Sequence, residues 1–257
     1  LGRETKQAQF DSVQKVFGGE RRTVTEDQPG GGVMAGAEQP ALAEALDLVR
    51  GRIEKIRERG HDPGEQDTKA SLIEPVLTAL GWQLDDLDEV RREYKRKPQD
   101  NPADYALFVH RQPQLFVEAK ALNVALGRKC ASQVVGYAGT VGVGWCLVTN
   151  GDEYRIYNAH ARMDVDEKLF RTVKLSDPTQ KQACLETLGL LAKEQMCGEI
   201  PLETLWKTQF VDRRLRRALD VLFEGEDQSF VRLIRKHAPE LSPADIKSAL
   251  ARAQLRA

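Results

Sequence analysis

Hydrophobic positions recur every three or four residues in the first patterned part of the chain, which predicts helices. Residues 42–56 carry apolar side chains on one helical face and charged side chains on the other, and Gly60 ends this run. A second helical run begins near Asp67 and stops at Gly81, a residue type typical of helix ends. Pro75 lies inside the second run, so we expect either a kink or a helix that effectively begins nearer Leu72.

The period then changes to short apolar runs of strand length. Two of these runs flank the segment His110–Pro113, which predicts a hairpin turn, and the pair Asn150-Gly151 predicts a second hairpin. A helical pattern at 128–140 separates the two hairpins. The predicted strands lie at 89–97, 105–109, 115–117, 145–149, 154–158 and 169–175.

This order of elements predicts an α/β fold class, with a mixed sheet that contains antiparallel hairpins and is flanked by helices. Additional helices are expected before the sheet and after Ser176, where the pattern is helical to the end of the chain. We therefore divide the chain into a weakly ordered N-terminal tail at 1–40, an α/β core at 41–178 and a helical C-terminal extension at 179–257.

The composition fits a folded globular protein and limits the partners and the cellular compartment that we expect for it. Of 257 residues, 41% are hydrophobic and 30% are charged, and 38 basic against 39 acidic residues leave a net charge of −1. That balance excludes a globally cationic, histone-like protein but allows nucleic-acid binding through a local basic surface. The sequence has no apolar run of about 20 residues and no CxxC pair, so we expect a cytoplasmic protein with free thiols and no membrane partner.

The chemistry is concentrated on the first predicted hairpin. Asp104 begins one strand, and Glu118 and Lys120 share one face of the next, because side chains alternate along a strand. If the hairpin is symmetric about its turn, two carboxylates and one ammonium converge at one end of the sheet. Such a trio suits phosphodiester hydrolysis with a divalent cation. A solvated strand edge with a cross-strand ion pair remains the alternative.

Five segments in this order carry a resemblance to a known family. The chain is similar to the PD-(D/E)xK nuclease superfamily, and most closely resembles the N-terminal nuclease domain of the R subunit of type I restriction enzymes. The likeness covers roughly residues 65–160 and implies a restriction-endonuclease-like core. The segments are Leu72-Ile-Glu-Pro-Val-Leu-Thr-Ala-Leu-Gly-Trp82, Ala103-Asp-Tyr105, Val117-Glu-Ala-Lys120, Gln133-Val-Val-Gly-Tyr137 and Trp145-Cys-Leu-Val-Thr-Asn-Gly151.

The resemblance implies roles for individual residues. Asp104 and Glu118 would be metal ligands for Mg²⁺, with Mn²⁺ as a substitute, and Lys120 would be the catalytic lysine. Glu74, the fourth catalytic candidate, would approach the metal or its waters from the preceding helix. A plain exposed helix acid is the alternative for Glu74.

The expected nucleic-acid contacts lie outside this trio. Gln133 and Tyr137, four residues apart on one helix face, would border the active site and contact the DNA backbone. Packing in the core is the alternative for Tyr137. A basic cluster just before the catalytic hairpin would add phosphate contacts, unless it is only a solvated surface. Its members are Arg91, Arg92, Lys95, Arg96 and Lys97.

These observations predict a Mg²⁺-dependent DNA endonuclease of the restriction-modification type. The R subunit couples its nuclease to an ATP-driven motor, but this chain contains no GxxxxGK[ST] phosphate loop, so we expect a stand-alone relative or a detached domain. Two alternatives stay open. One is a non-catalytic nucleic-acid-binding or regulatory module that keeps the fold, and the other is a subunit that cuts only with a specificity or motor partner.

Overall fold

The computed structural model describes residues 40–100, 102–198, 201–224 and 227–252. Apart from Pro40, the predicted N-terminal tail lies outside them. The strands are β1 (Val90–Tyr94), β2 (Ala103–Val109), β3 (Gln112–Ala119), β4 (Trp145–Thr149), β5 (Glu153–Asn158) and β6 (Leu169–Lys174). The helices are α1 (Pro40–Glu58), α2 (Glu65–Thr68), α3 (Glu74–Ala79), α4 (Arg128–Val141), α5 (Lys181–Gly189), α6 (Lys193–Met196), α7 (Pro201–Phe223), α8 (Gln228–His237) and α9 (Pro243–Arg252).

The strands form one six-stranded sheet whose order follows the chain, from β1 to β6. Neighbouring strands are antiparallel except β3 and β4, which are parallel and are joined through α4. A parallel pair needs such a crossover, whereas the antiparallel pairs can be joined by short turns. The predicted fold class, an α/β fold with a mixed sheet flanked by helices, is confirmed.

Each face of the sheet has its own hydrophobic core. Leu115 and Val117 of β3 face the larger core, which also contains Leu46 of α1 and Leu77 of α3. Phe116, between them in sequence, faces the smaller core beneath α4. This alternation is the normal consequence of the strand pleat. The sheet is therefore held between two layers of helix.

The kink predicted at Pro75 takes the form of a π-helical segment, Lys69–Ile73, between α2 and α3. The helical run thus begins at Glu65 and not nearer Leu72. Pro75 has no N–H to donate to the carbonyl of Ser71, four residues earlier. That carbonyl instead accepts a hydrogen bond from Nη1 of Arg52 on α1, at 2.6 Å.

The first hairpin turn is shorter than the predicted segment 110–113. His110 and Arg111 form a two-residue turn, with φ of 49° and 63°, and Val109 pairs with Gln112. Positive φ at both positions is the geometry of a type I′ turn, which suits the right-handed twist of paired strands. Pro113 therefore lies inside β3, opposite Phe108, and not in the turn.

The C-terminal helices divide between the main core and a smaller one. Leu188 of α5 and Trp206 of α7 are buried in the larger core of the sheet. Val231 of α8 and Ile246 of α9 instead form a separate cluster. The boundary at residue 178 between core and extension stays a prediction. Across the described ranges, no helix has the length and apolar character needed to cross a membrane.

Gly151 of the second hairpin and Gly142 at the end of α4 should differ in how much stability an alanine substitution removes. Gly151 has φ of +83°, and a Cβ there would lie 2.7 Å from Cβ of Leu72, whereas Gly142 has φ of +87° and open space around it. We expect Gly142→Ala to destabilise the protein by about 1–2 kcal/mol through backbone strain. Gly151→Ala should lose a further ~1–3 kcal/mol through overpacking. Thermal unfolding of both variants measures the difference, and equal losses would contradict the close approach to Leu72.

Candidate active site

The ends of β2 and β3 bring Asp104 and Glu118 together. Because Tyr105 pairs with Val117 in antiparallel register, Asp104 stands opposite Glu118 at the adjacent position. Oδ2 of Asp104 accepts a hydrogen bond from the backbone N–H of Ala119 at 2.7 Å, which holds its carboxylate across the strand pair. Asp104 is 9% exposed and Glu118 is 5% exposed. Two carboxylates are thus nearly removed from water, where they need charged or hydrogen-bonding partners.

Lys120 is the partner of Glu118. Its Nζ lies 2.6 Å from Oε1 of Glu118 and 2.9 Å from the carbonyl oxygen of Ala119. Its backbone N–H donates to the carbonyl of Thr149 at 2.8 Å, so the parallel strand β4 fixes the end of β3. The structure therefore brings Asp104, Glu118 and Lys120 to one end of the sheet. Their assignment as catalytic and metal-binding residues stays a prediction.

A second lysine, which the sequence pattern did not indicate, neutralises Asp104. Lys69, the first residue of the π-helical segment, forms an ion pair with Oδ1 of Asp104 through its Nζ. The same Nζ lies 3.1 Å from Glu65 and 3.5 Å from Glu93. Glu65 also reaches Lys120, at 3.6 Å. We call this set the acidic cluster: the four carboxylates of Glu65, Glu93, Asp104 and Glu118 with the ammonium groups of Lys69 and Lys120.

One feature of the sequence could have indicated that Glu65 and Lys69 belong to this cluster. Glu65 and Lys69 stand four residues apart, the spacing that places an acid and a base on one helix face. Lys69 also lies close before Leu72 and Ile73 on a run whose other inward positions are apolar. The identity of its partners depends on tertiary contacts with β1 and β2 and could not be read from that spacing.

Burial and charge shift the pKa values of three groups in the cluster, Glu118, Lys120 and Lys69. Burial raises the pKa of Glu118; the hydrogen bond from Lys120 opposes this, and the negative charge of Asp104 adds to it. For Lys120, burial acts to lower the pKa, but the hydrogen bond and charge of Glu118 outweigh it, so the pKa stands above its usual value. The pKa of Lys69 is likewise raised, because its bonds to Asp104 and Glu65 outweigh burial.

The donor set fits a hard divalent cation. Carboxylate oxygens are the ligands Mg²⁺ prefers, and it commonly uses one or two of them, with waters and substrate phosphate completing the shell. Asp104 and Glu118 supply two such carboxylates at the same strand ends. Among the described residues, no three His, Cys, Asp or Glu side chains are grouped closely enough to hold a metal ion by themselves. A bound ion would therefore depend on water or substrate for its remaining ligands.

Glu74 points toward a different set of residues. Its Oε1 accepts hydrogen bonds from Nη2 of Arg92 at 2.9 Å and from the hydroxyl of Tyr105 at 3.0 Å. Tyr105 follows Asp104 directly on β2, so its side chain points to the opposite face of the sheet. The structure thus joins Glu74 to Arg92 and Tyr105, and it is Glu65 that contacts both lysines of the acidic cluster.

Gln133 and Tyr137 both lie on α4, which covers the smaller core. The ring of Tyr137 stacks on Phe116, with centroids 5.3 Å apart, and its hydroxyl accepts a hydrogen bond from the backbone N–H of Arg96 at 2.7 Å. Gln133 is exposed. The Tyr137 ring thus packs as a core residue while its hydroxyl positions the loop after β1. Contact of either residue with nucleic acid stays a prediction.

The basic cluster divides over two faces of the sheet edge. On β1, the guanidinium of Arg91 lies 4.6 Å from the ring centroid of Phe108, while Arg92 binds Glu74 on the other side. The residues at 95–97 follow the strand and are exposed. Their position beside α4 leaves this loop as the part of the cluster that is freest to contact a phosphate backbone.

The arginines of α7 are engaged with the segment before and at the start of β6. Arg214 and Arg217 lie 3.1 and 3.5 Å from the carboxylate of Glu167. Arg213 donates to the carbonyl of Leu169 at 3.0 Å. These contacts favour a structural role for this second basic group over phosphate binding.

The mixed sheet flanked by helices is compatible with a restriction-endonuclease-like core, and it carries Asp104, Glu118 and Lys120 at its strand ends. Residues 68–171 match the family described as type I restriction enzyme R protein N terminus. The match covers less than half of the chain but includes Asp104, Glu118 and Lys120. Searches of curated proteins and of solved structures returned no match. The predicted resemblance is therefore confirmed for this segment, and it supports a nuclease-like role in broad terms.

The raised pKa of Glu118 predicts the pH dependence of one variant. A carboxyl whose pKa is higher in the folded protein than in the unfolded chain stabilises the fold at low pH, and that contribution is lost as the pH rises through the folded-state pKa. The variant has no titrating group at this position. The unfolding temperature of Glu118→Gln relative to that of wild type, measured in EDTA, should therefore rise as the pH increases from the usual glutamate range to pH 7. A difference between the two proteins that stays constant across this pH range would contradict the raised pKa of Glu118.

Proposed function

We propose that this protein is a Mg²⁺-dependent endodeoxyribonuclease that hydrolyses phosphodiester bonds in DNA. The observation that supports this most directly is the convergence of Asp104, Glu118 and Lys120 at the adjoining ends of β2 and β3. The family match over residues 68–171 supports the nuclease-like role in broader terms.

In this proposal, Asp104 and Glu118 hold the cation and Lys120 faces the phosphate. A bound Mg²⁺ would polarise a phosphoryl oxygen and lower the pKa of a coordinated water. The ammonium of Lys120 would orient the attacking water and offset the negative charge that develops on the phosphate. The N–H of Ala119 holds the Asp104 carboxylate in position, so the site is partly preorganised by backbone.

The side chains of Lys95, Arg96 and Lys97, with Gln133 and Tyr137 on α4, are the proposed contacts for the DNA backbone. Contacts of this kind respond to phosphate charge and carry no direct sequence information. The proposed protein would thus bind DNA with little sequence preference. A specificity or motor subunit in the same cytoplasmic compartment would supply target choice. Mn²⁺ would serve as a substitute for Mg²⁺ at the metal site.

The cleavage prediction compares site variants with a lysine variant outside the site. With Mg²⁺, wild type should nick plasmid DNA, and EDTA should abolish nicking. Lys120→Ala and Asp104→Asn should reduce the rate by about 10²–10³-fold, the usual effect of losing one preorganised electrostatic contact. Lys207→Ala, an exposed residue on α7 paired with Glu203, should cut like wild type.

Each alternative outcome of this assay has a distinct meaning. Equal nicking by Lys120→Ala and wild type would reject the role of Lys120. No cleavage by any variant, with DNA binding intact, would favour the non-catalytic binding module. If cleavage appears only after a specificity or motor subunit is added, the chain is a dependent subunit.

The DNA-binding prediction concerns the loop after β1. The double variant Lys95→Ala, Lys97→Ala should weaken DNA binding similarly for unrelated sequences and reduce the salt slope of the association constant by about 2. Arg214→Ala, Arg217→Ala removes the same charge from side chains engaged with Glu167 and should leave the slope unchanged. Fluorescence anisotropy at several salt concentrations measures both slopes. A larger change for the α7 variant would locate the DNA surface there instead.

A further inference from the structure

Lys69 is the more deeply buried of the two lysines in the acidic cluster. It is 5% exposed, although lysine is almost never buried this far unless it is paired. Its ammonium contacts three carboxylates, those of Asp104, Glu65 and Glu93, each from a different element. A single ammonium therefore links α2, β1 and β2 at the point where the acids meet.

The backbone around Lys69 is built to hold this position. Lys69 opens the π-helical segment, a rare conformation that often occurs at functional sites. Just before it, Thr68 accepts a hydrogen bond through Oγ1 from the N–H of Leu122 at 3.1 Å, which ties the helix to the segment after β3. Leu72 and Ile73 anchor the same segment in the larger core. The ammonium is thus directed into the cluster by fixed neighbours on both sides.

Glu93 adds an independent sign of constraint at the same point. It lies between Arg92 and Tyr94, which pair with Tyr105 and Ala103, so it stands opposite Asp104 in the register of β1 and β2. Its φ is +49°, a region that residues other than glycine seldom adopt. The strained backbone coincides with a side chain that reaches Lys69. Strain of this kind persists where the surroundings determine it and is common at functional sites.

The two lysines of the cluster occupy different environments. The side chain of Lys120 is 24% exposed, whereas that of Lys69 is 7% exposed. Lys120 can therefore meet a substrate from solvent, and Lys69 is enclosed by protein. Four carboxylates against two ammonium groups leave the cluster with an excess of negative charge. Without Lys69, the repulsion between these carboxylates would be opposed by Lys120 alone among the cluster's members.

We infer that Lys69 is a positioning residue, the internal counter-ion that holds Asp104, Glu65 and Glu93 together while no divalent cation is bound. This inference rests on the proposed function for its metal-binding half. Since a fixed positive charge repels a cation, Lys69 also lowers the affinity of the site for Mg²⁺. Its removal should make the metal-free protein less stable and the metal-bound protein comparatively less affected.

The test measures unfolding temperature in EDTA and in saturating Mg²⁺. Lys69→Met should unfold roughly 10 °C below wild type in EDTA, because one partner of a buried ion pair has been removed. Mg²⁺ should reduce this deficit, and calorimetric titration should give a smaller Mg²⁺ dissociation constant for the variant than for wild type. Lys193→Met is the matched control: it removes a lysine paired with Glu89, outside the cluster, and its deficit should be the same with and without Mg²⁺.

A double variant separates loss of charge balance from loss of packing. Asp104→Asn should restore part of the stability that Lys69→Met removes, because neutralising both partners leaves no unpaired buried charge. No rescue, or an EDTA deficit no larger than that of Lys193→Met, would overturn the inference. If wild type binds Mg²⁺, an unfolding-temperature deficit of Lys69→Met that is the same with and without Mg²⁺ would also overturn the inference.

Failure of the proposed function gives a different result. If wild type neither cleaves DNA nor gains stability from Mg²⁺, the nuclease proposal fails. The counter-ion role is then decided in EDTA alone: rescue by Asp104→Asn supports it, and its absence rejects it.

Discussion

The site depends on how buried carboxylates are neutralised at one end of the sheet. Asp104 and Glu118 are almost removed from water, and each forms an ion pair with a lysine. Their mutual repulsion and loss of hydration would otherwise oppose the alignment of β2 with β3. The N–H of Ala119 completes the arrangement by binding Asp104 across the strand pair. The rest of the domain can be understood as the scaffold that keeps these groups in contact.

That scaffold acts on the site through the second hairpin. Leu72 of the π-helical segment packs against Gly151 of this hairpin, which fixes the helix that carries Lys69. On the same hairpin, Asn150 donates to the carbonyls of Leu122 and Val124 and holds the segment that follows Lys120. The glycine and the asparagine therefore serve the site as well as the turn, since a larger residue at 151 would displace the helix.

The sequence allowed the architecture to be predicted because its signals are local. Hydrophobic period identified the helices and strands, and Asn150-Gly151 marked a hairpin. The predicted extent of the first turn is wrong because His110 and Arg111 adopt positive φ although neither is glycine, the residue type that usually indicates such a turn. The contacts of Lys69 could not be predicted either, because its partners Asp104 and Glu93 lie 35 and 24 residues away and meet it only through sheet register.

The two lysines show how stability and cation binding would compete at one site. A positive charge fixed among carboxylates stabilises the metal-free fold and, for the same Coulombic reason, opposes a second cation. The side chain of Lys120 is 24% exposed, so it is the one of the two lysines that solvent can reach. Lys69 is enclosed by Glu65, Glu93 and Asp104 and cannot leave without breaking three contacts. The structure therefore places one lysine at the surface of the cluster and encloses the other among three carboxylates, so removing the positive charge should cost more stability at Lys69 than at Lys120.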